Sequence, residues 1–264
     1  MASAKQAATA TAVIPIHAFP DVHARVKELL ASEPRGRLLD IPAGSGAFSQ
    51  WAAQNGFETY AGDLNDHLFQ ASGVLFKHTD LNQGIPFEDQ FFDTVVCIEG
   101  IEHLENQFLL IREIARVLRP GGKLILTTPS LMNIDSRLHF FFTGFEDSLP
   151  LPLDHTKEQG LSGHINLVLF PALEFNLRRH GFKIEALTTN RYRRGSRLLY
   201  PFLYPLMYIA TKRLLGKERD PDQRQRNREL FKLMLSREML LGRIHIIKAV
   251  KSGTSDVLRP TSYV

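Results

Sequence analysis

At 264 residues, with 44% hydrophobic and 23% charged side chains, the chain is long enough for one well-filled α/β domain with an insertion and too short for two full domains. A net charge of +4 is too small to mark a nucleic-acid binder unless it is clustered, and the single cysteine, Cys97, excludes an intramolecular disulfide and suits a reducing compartment. No window reaches ~18 unbroken apolar residues, so no spanning helix is predicted and the cytoplasm is the expected address.

Residues 1–19, rich in Ala and Thr with one charge at Lys5, read as a flexible leader without the apolar core of a secretion signal. Asp21 is placed to cap a helix with Val22, Val26, Leu29 and Leu30 on one face, ending before Pro34 and Gly36. The first strand follows at 37–41 and turns through Pro42-Ala43-Gly44-Ser45-Gly46 into a helix over 47–54, stopped at Asn55-Gly56. Strands are predicted at 57–61, closed by Gly62-Asp63, at 75–79, closed by Asp80-Leu81, and at 92–98, where Cys97 is a packing residue. A helix over 107–118 ends at Arg119-Pro120-Gly121-Gly122 before a fifth strand at 123–128.

Beyond Pro129 the pattern gives an aromatic loop at 138–145, a polar loop at 153–166, a helix at 170–180 and strands at 182–188 and 243–250. Residues 189–242 are left as inserted helices, the last a single charged helix over 220–241 started by Asp220-Pro221. Strands alternating with helices at this spacing predict an α/β, doubly wound, mostly parallel seven-stranded sheet. The domain is expected over 20–250, with cap segments 133–166 and 189–242 and a mobile tail at 251–264.

Three acids close three consecutive strands: Asp40, Asp63 and Asp80. Such strand ends line one edge of a doubly wound sheet, so the carboxylates are expected to converge on one elongated ligand. Asp63 could accept from two vicinal ribose hydroxyls and Asp80 from an adenine amino group, although acids at strand ends also simply cap turns. Gly44 and Gly46 allow close backbone approach. There is no G-K-[ST], which excludes a P-loop, and the third glycine of a dinucleotide fingerprint is Ser49.

Taken together, LLDIPAGSG, YAGDLND, HTDLNQGIPFEDQFFDTVVCIEGIEHLEN and LIREIARVLRPGGKLILTTPS, in this order and spacing, resemble the class I S-adenosylmethionine-dependent methyltransferases. Pro42, in place of that family's first glycine, is a departure. The resemblance implies a Rossmann-like methyltransferase fold with Gly44 and Gly46 against the cofactor, Asp63 on the ribose and Asp80 with the Leu81 amide on the adenine. Asp40 and the backbone near Ile98 and Glu99 would surround the methionine end. The E-x-x-E-H run of Glu99, Glu102 and His103 is similar to one in metal-assisted O-methyltransferases acting on ubiquinone precursors and small-RNA ends. On that likeness, Glu99, Glu102, His103 and His164 would hold Mg²⁺, Mn²⁺ or Zn²⁺. His103 or His164 as general base, with Glu102 as a helix cap, stays open beside it. His139, His155 and His180 are expected to be structural or solvent-facing.

Residues 191–219 carry eight Lys or Arg and one acid, flanking an apolar stretch at 198–210 in which Tyr200, Tyr204 and Tyr208 recur every fourth position. Core packing as a lid over the site is the commoner use of such a segment. Peripheral contact at the inner face of a membrane is the other. The expected function is O-methylation of a hydroxyl on a small molecule, sugar or lipid-linked precursor. Nucleic acid is not the expected partner, because the basic residues do not interleave with stacking aromatics along a groove. A nicotinamide-dependent oxidoreductase and a membrane-associated cofactor-binding protein without catalysis are the alternatives.

Overall fold

A computed structural model describes residues 13–145 and 164–253. Its centre is a seven-stranded sheet in the order β3-β2-β1-β4-β5-β7-β6. The strands are β1 (Arg37–Asp40), β2 (Glu58–Asp63), β3 (Leu75–His78), β4 (Phe92–Ile98), β5 (Leu118–Pro129), β6 (Phe182–Thr189) and β7 (Ile244–Lys251). The first five run parallel, and β7 is antiparallel to both β5 and β6.

Because successive side chains of a strand point to opposite faces, the continuous apolar runs of the central strands supply two cores at once. Leu39, Val95, Cys97, Leu124, Leu126 and Ile247 point to one face and meet α3 (Gln107–Val117) and α5 (Phe170–Arg179) through Leu110, Ile114, Phe170 and Leu177. Leu38, Val96, Ile98, Ile125 and Ile246 point to the other and meet α1 (Val22–Leu30) and α2 (Ala47–Gln54) through Val22, Val26, Phe48 and Ala52. The strand order reverses between β1 and β4, which opens a crevice beyond their carboxyl ends.

The inserted helices α6 (Arg194–Leu215), α7 (Pro221–Met234) and α8 (Arg237–Leu241) pack with α4 (Ile134–Thr143) around a separate small core built on Ile134, Leu235, Leu240 and Leu241.

The elements depart from the expectations in several places. The aromatic loop at 138–145 is instead mostly α4, whose N-cap Asn133 accepts from the Ser136 amide at 2.9 Å and whose C-cap Gly144 is left-handed. The charged helix over 220–241 breaks at Ser236, whose hydroxyl caps α8 by accepting from the Met239 amide. Asp21 stands at the N-cap of α1 in a left-handed conformation and its side chain makes no capping bond. β2 runs on to Asp63, so that acid is held by sheet pairing as well as by its turn. The polar loop at 153–166 lies outside the described residues except for its last three, as do His155 and most of the expected leader and tail.

Candidate active site

A cavity of about 770 Å³ occupies the crevice beyond β1, β2 and β4, and Asp40, Asp63, Asp80, Leu81, Gly44, Glu99, His103 and His164 all line it. Asp40, the last residue of β1, is buried, and desolvation raises its carboxyl to about 7, with Asp63 nearby adding to the rise. The Ser49 hydroxyl donates to it at 2.5 Å. The side chain that replaces the third glycine of a dinucleotide fingerprint therefore holds the acid of the first strand, a role the motif comparison could not show.

Asp63 organises the glycine turn. One carboxylate oxygen accepts from the Gly44 amide at 2.7 Å and the other from the Asn65 amide at 2.9 Å, while the backbone carbonyl accepts from Thr79. Gly44 has φ +52° and open space where a Cβ would stand, so its backbone is directly accessible to a ligand. Gly46 behaves differently from expectation: it does not line the cavity. Its left-handed backbone, φ +85°, sits under the Phe69 ring, 2.7 Å from where a Cβ would be, so the glycine is required by helix entry and packing. Asp80 accepts from the Asn82 amide and the Gln83 side chain, a turn-capping role that leaves it on the cavity wall.

Glu99 follows β4 in a left-handed conformation, φ +47°, unusual for a residue with a side chain. Its carboxylate accepts from the Phe19 amide at 2.7 Å, and burial pushes it up to about 7. That bond belongs to a strap read from sequence as leader: Pro15 to Phe19 line the cavity, His17 bonds the Ser45 hydroxyl at 2.7 Å, and Asn190 donates to the Pro20 carbonyl. No periodicity marks such a strap, since its partners lie far along the chain. Conversely, nothing between 189 and 242 lines the cavity, so the expected lid over the site is not formed by the insertion.

Behind the wall formed by His103 and His164 lies the buried Glu102, and these three bring one ligand atom each within 4.8 Å of one another. The amides of Ile165 and Asn166 both donate to the Glu102 carbonyl, which delivers His164 to this point, and the two imidazole rings lie 5.0 Å apart. Burial raises the Glu102 carboxyl to about 8. Neither of its oxygens meets hydrogen-bond geometry among the described residues, the Thr128 hydroxyl offering only a weak interaction. Glu99 is not part of this group. Residues 101–103 form a single three-residue-per-turn helix after Gly100, which removes the shared face expected for Glu99, and its carboxylate is committed to the strap.

A family model described as a methyltransferase domain matches residues 16–187. An uncharacterized protein of Mycobacterium tuberculosis is 36% identical over 97 residues, covering 34% of this chain and 35% of that protein. A ubiquinone biosynthesis O-methyltransferase of Xanthomonas euvesicatoria is 31% identical over 123 residues, covering 43% of this chain and 52% of that protein. The chain thus spans between about a third and a half of the length of these relatives. Among solved structures, a SAM-dependent methyltransferase from Archaeoglobus fulgidus superposes with a TM-score of 0.54 at 18% identity, over 87% of this chain and 93% of that one. The nicotinamide reading falls with these findings, because sheet order, glycine turn and family match agree: the chain belongs to the methyltransferase-domain family and has the Rossmann-like fold of the SAM-dependent methyltransferases.

Proposed function

We propose that the chain moves a methyl group from S-adenosylmethionine to a hydroxyl oxygen of a small-molecule or lipid-linked acceptor. The observation that carries this reading is the composition of one cavity wall: three acids, a bare glycine turn and the imidazoles of His103 and His164, with the buried Glu102 carboxylate within ligand distance of both rings. No Lys or Arg is among the described residues lining it, which suits a ligand bearing a sulfonium and an ammonium group. Asp63 and Gly44 would hold the ribose, Asp80 and the Leu81 amide the adenine, and Asp40 the ammonium end.

The bound cofactor supplies an electrophilic methyl carbon. An acceptor oxygen held in line at reacting distance forms the new C–O bond as the C–S pair returns to sulfur. The hydroxyl proton passes to the His103 imidazole and from there to water. One buried carboxylate with unmatched oxygens beside two imidazoles is also a donor set for Zn²⁺, Mn²⁺ or Mg²⁺. Glu102, His103 and His164 would hold the ion; His103 would then be a ligand in place of the base, and the ion would make the acceptor hydroxyl acidic enough to lose its proton to water. The O-methyltransferase relative from Xanthomonas supports oxygen as the acceptor atom.

Labelled cofactor incubated with catechols, sugars and prenylated phenols tests this, with and without a chelator. Label is expected in an ether product, reduced by the chelator. Transfer only to amines, or to none of these acceptors, would refute the reading.

Cofactor binding is also expected to depend on pH through Asp40. Its folded carboxyl titrates near 7, against 3.8 ordinarily, so the unliganded fold loses stability as pH rises from about 4 through 7. A cationic ligand favours the ionised form, so affinity should instead rise with pH in that window, by up to ~10-fold per unit, with proton release on binding. Calorimetry in buffers of different ionisation enthalpy reads this directly. An Asp40→Asn variant should show a shallower profile, the remaining slope coming from Glu99, whose carboxyl on the same cavity wall is also raised to about 7; a wild-type profile no steeper than the variant's would refute the assignment.

A further inference from the structure

The insertion carries a second apolar face that the fold does not use. On α6, Leu199, Tyr200, Leu203, Tyr204 and Met207 point inward to the small core beside α4, α7 and α8. On the opposite side stand Leu198, Phe202, Leu206 and Ile209, exposed to 72%, 73%, 65% and 48%. Their spacing of four, four and three residues places them in one stripe along the helix. A helix apolar on both sides, one side packed and the other bare, has a face left for a partner.

The surrounding charge says which partner. Arg194 and Arg197 precede the stripe and Lys212 and Arg213 follow it, all exposed, and the only acid within 191–219 is Glu218. Two copies paired through this stripe, in either direction, would set these cationic ends against each other. An anionic bilayer surface neutralises both ends while taking the apolar side chains between them. Pro201 and Pro205 leave the carbonyls of Arg197 and Pro201 without their usual helical donors, which water and headgroups at an interface can supply. No helix among the described residues is long and apolar enough to cross a membrane, so the contact is one of lying in the surface.

We infer that α6 docks the enzyme on anionic lipid bilayers, with Leu198, Phe202, Leu206 and Ile209 in the acyl boundary and the flanking cations among the headgroups. This rests on the surface of the insertion and not on the chemistry of the cavity, from which α6 is absent.

The test is sedimentation of the full chain with extruded vesicles of phosphatidylcholine, with or without phosphatidylglycerol at roughly one part in three. Binding is expected to be at least ~10-fold stronger to the anionic vesicles and to weaken as salt is raised. The double variant Phe202→Ser, Leu206→Ser should lose this binding. So should Lys212→Glu with Arg213→Glu, which removes no apolar side chain from α6; each lost cation costs about five-fold before reversal is counted. Both variants should retain wild-type affinity for S-adenosylhomocysteine, which separates failure of this inference from failure of the cofactor reading. Equal binding of variants and wild type to anionic vesicles would overturn the inference, as would no binding by the wild type. A solution dimer that the serine variant converts to monomer would overturn it too, by assigning the face to a second copy.

Discussion

Asp63→Ala is expected to weaken S-adenosylhomocysteine binding by ~10²–10⁴-fold, read by calorimetry. The side chain has two tasks. It accepts from the amides of Gly44 and Asn65, which fixes the glycine turn against the end of β2. Its remaining lone pairs face the cavity, where two vicinal hydroxyls could be received together. Hydrogen bonds to a charged group contribute ~1.5–3 kcal/mol each, so losing a bidentate hydroxyl contact alone reaches ~3–6 kcal/mol. Release of the turn adds to this, since Gly44 would no longer be held where its backbone meets the ligand. Asp63→Asn should fall between wild type and alanine: its carbonyl can keep one amide, while its NH₂ faces the other donor. Affinity of the alanine variant within about threefold of wild type would refute the placement of the ribose here.

The parts of this fold that sequence made legible are those in which local pattern and burial coincide. The bounds of α2 and β4 agree with the expectation because the glycine turn marks the start of one and a run of buried side chains spans the other. The doubly wound order follows from strands apolar on both faces. α4 escaped because Phe140, Phe141 and Phe142 in succession have no helical period, and the signals that mattered were its caps, Asn133 and Gly144. The break at Ser236 is likewise a capping signal hidden in a charged run.

At the site, residue types were readable and their commitments were not. Glu99, Glu102 and His103 form a plausible ligand run as letters. Which carboxylate is available depends on Phe19, eighty residues earlier, donating to one of them. Ser49 was visible only as a missing glycine, and its hydroxyl proves to be the partner of Asp40. The strap over the cavity has neither period nor motif, because what holds it are single bonds to Ser45 and Glu99.

His103→Ala and Glu102→Gln are expected to lower turnover by ~10²–10⁴-fold and to leave cofactor affinity within about threefold of wild type. The distinguishing consequence lies in stability. Glu102 is buried, its carboxyl is raised from 4.5 to about 8, and its oxygens lack matched donors among the described residues. With the folded value above the unfolded one, the native state holds the proton more tightly. The associated stability is therefore fully present below about pH 4.5 and is lost as pH rises through about 8. Glutamine keeps the shape without the charge, so at pH 9 and without added metal Glu102→Gln should melt above the wild type, by several kcal/mol in stability. Saturating Mn²⁺ or Zn²⁺ should reverse the order by stabilising only the wild type. Full turnover in both variants would remove Glu102 and His103 from the reaction. Melting curves of Glu102→Gln and wild type that coincide from pH 5 to 9 would show the carboxylate to be solvated and unstrained.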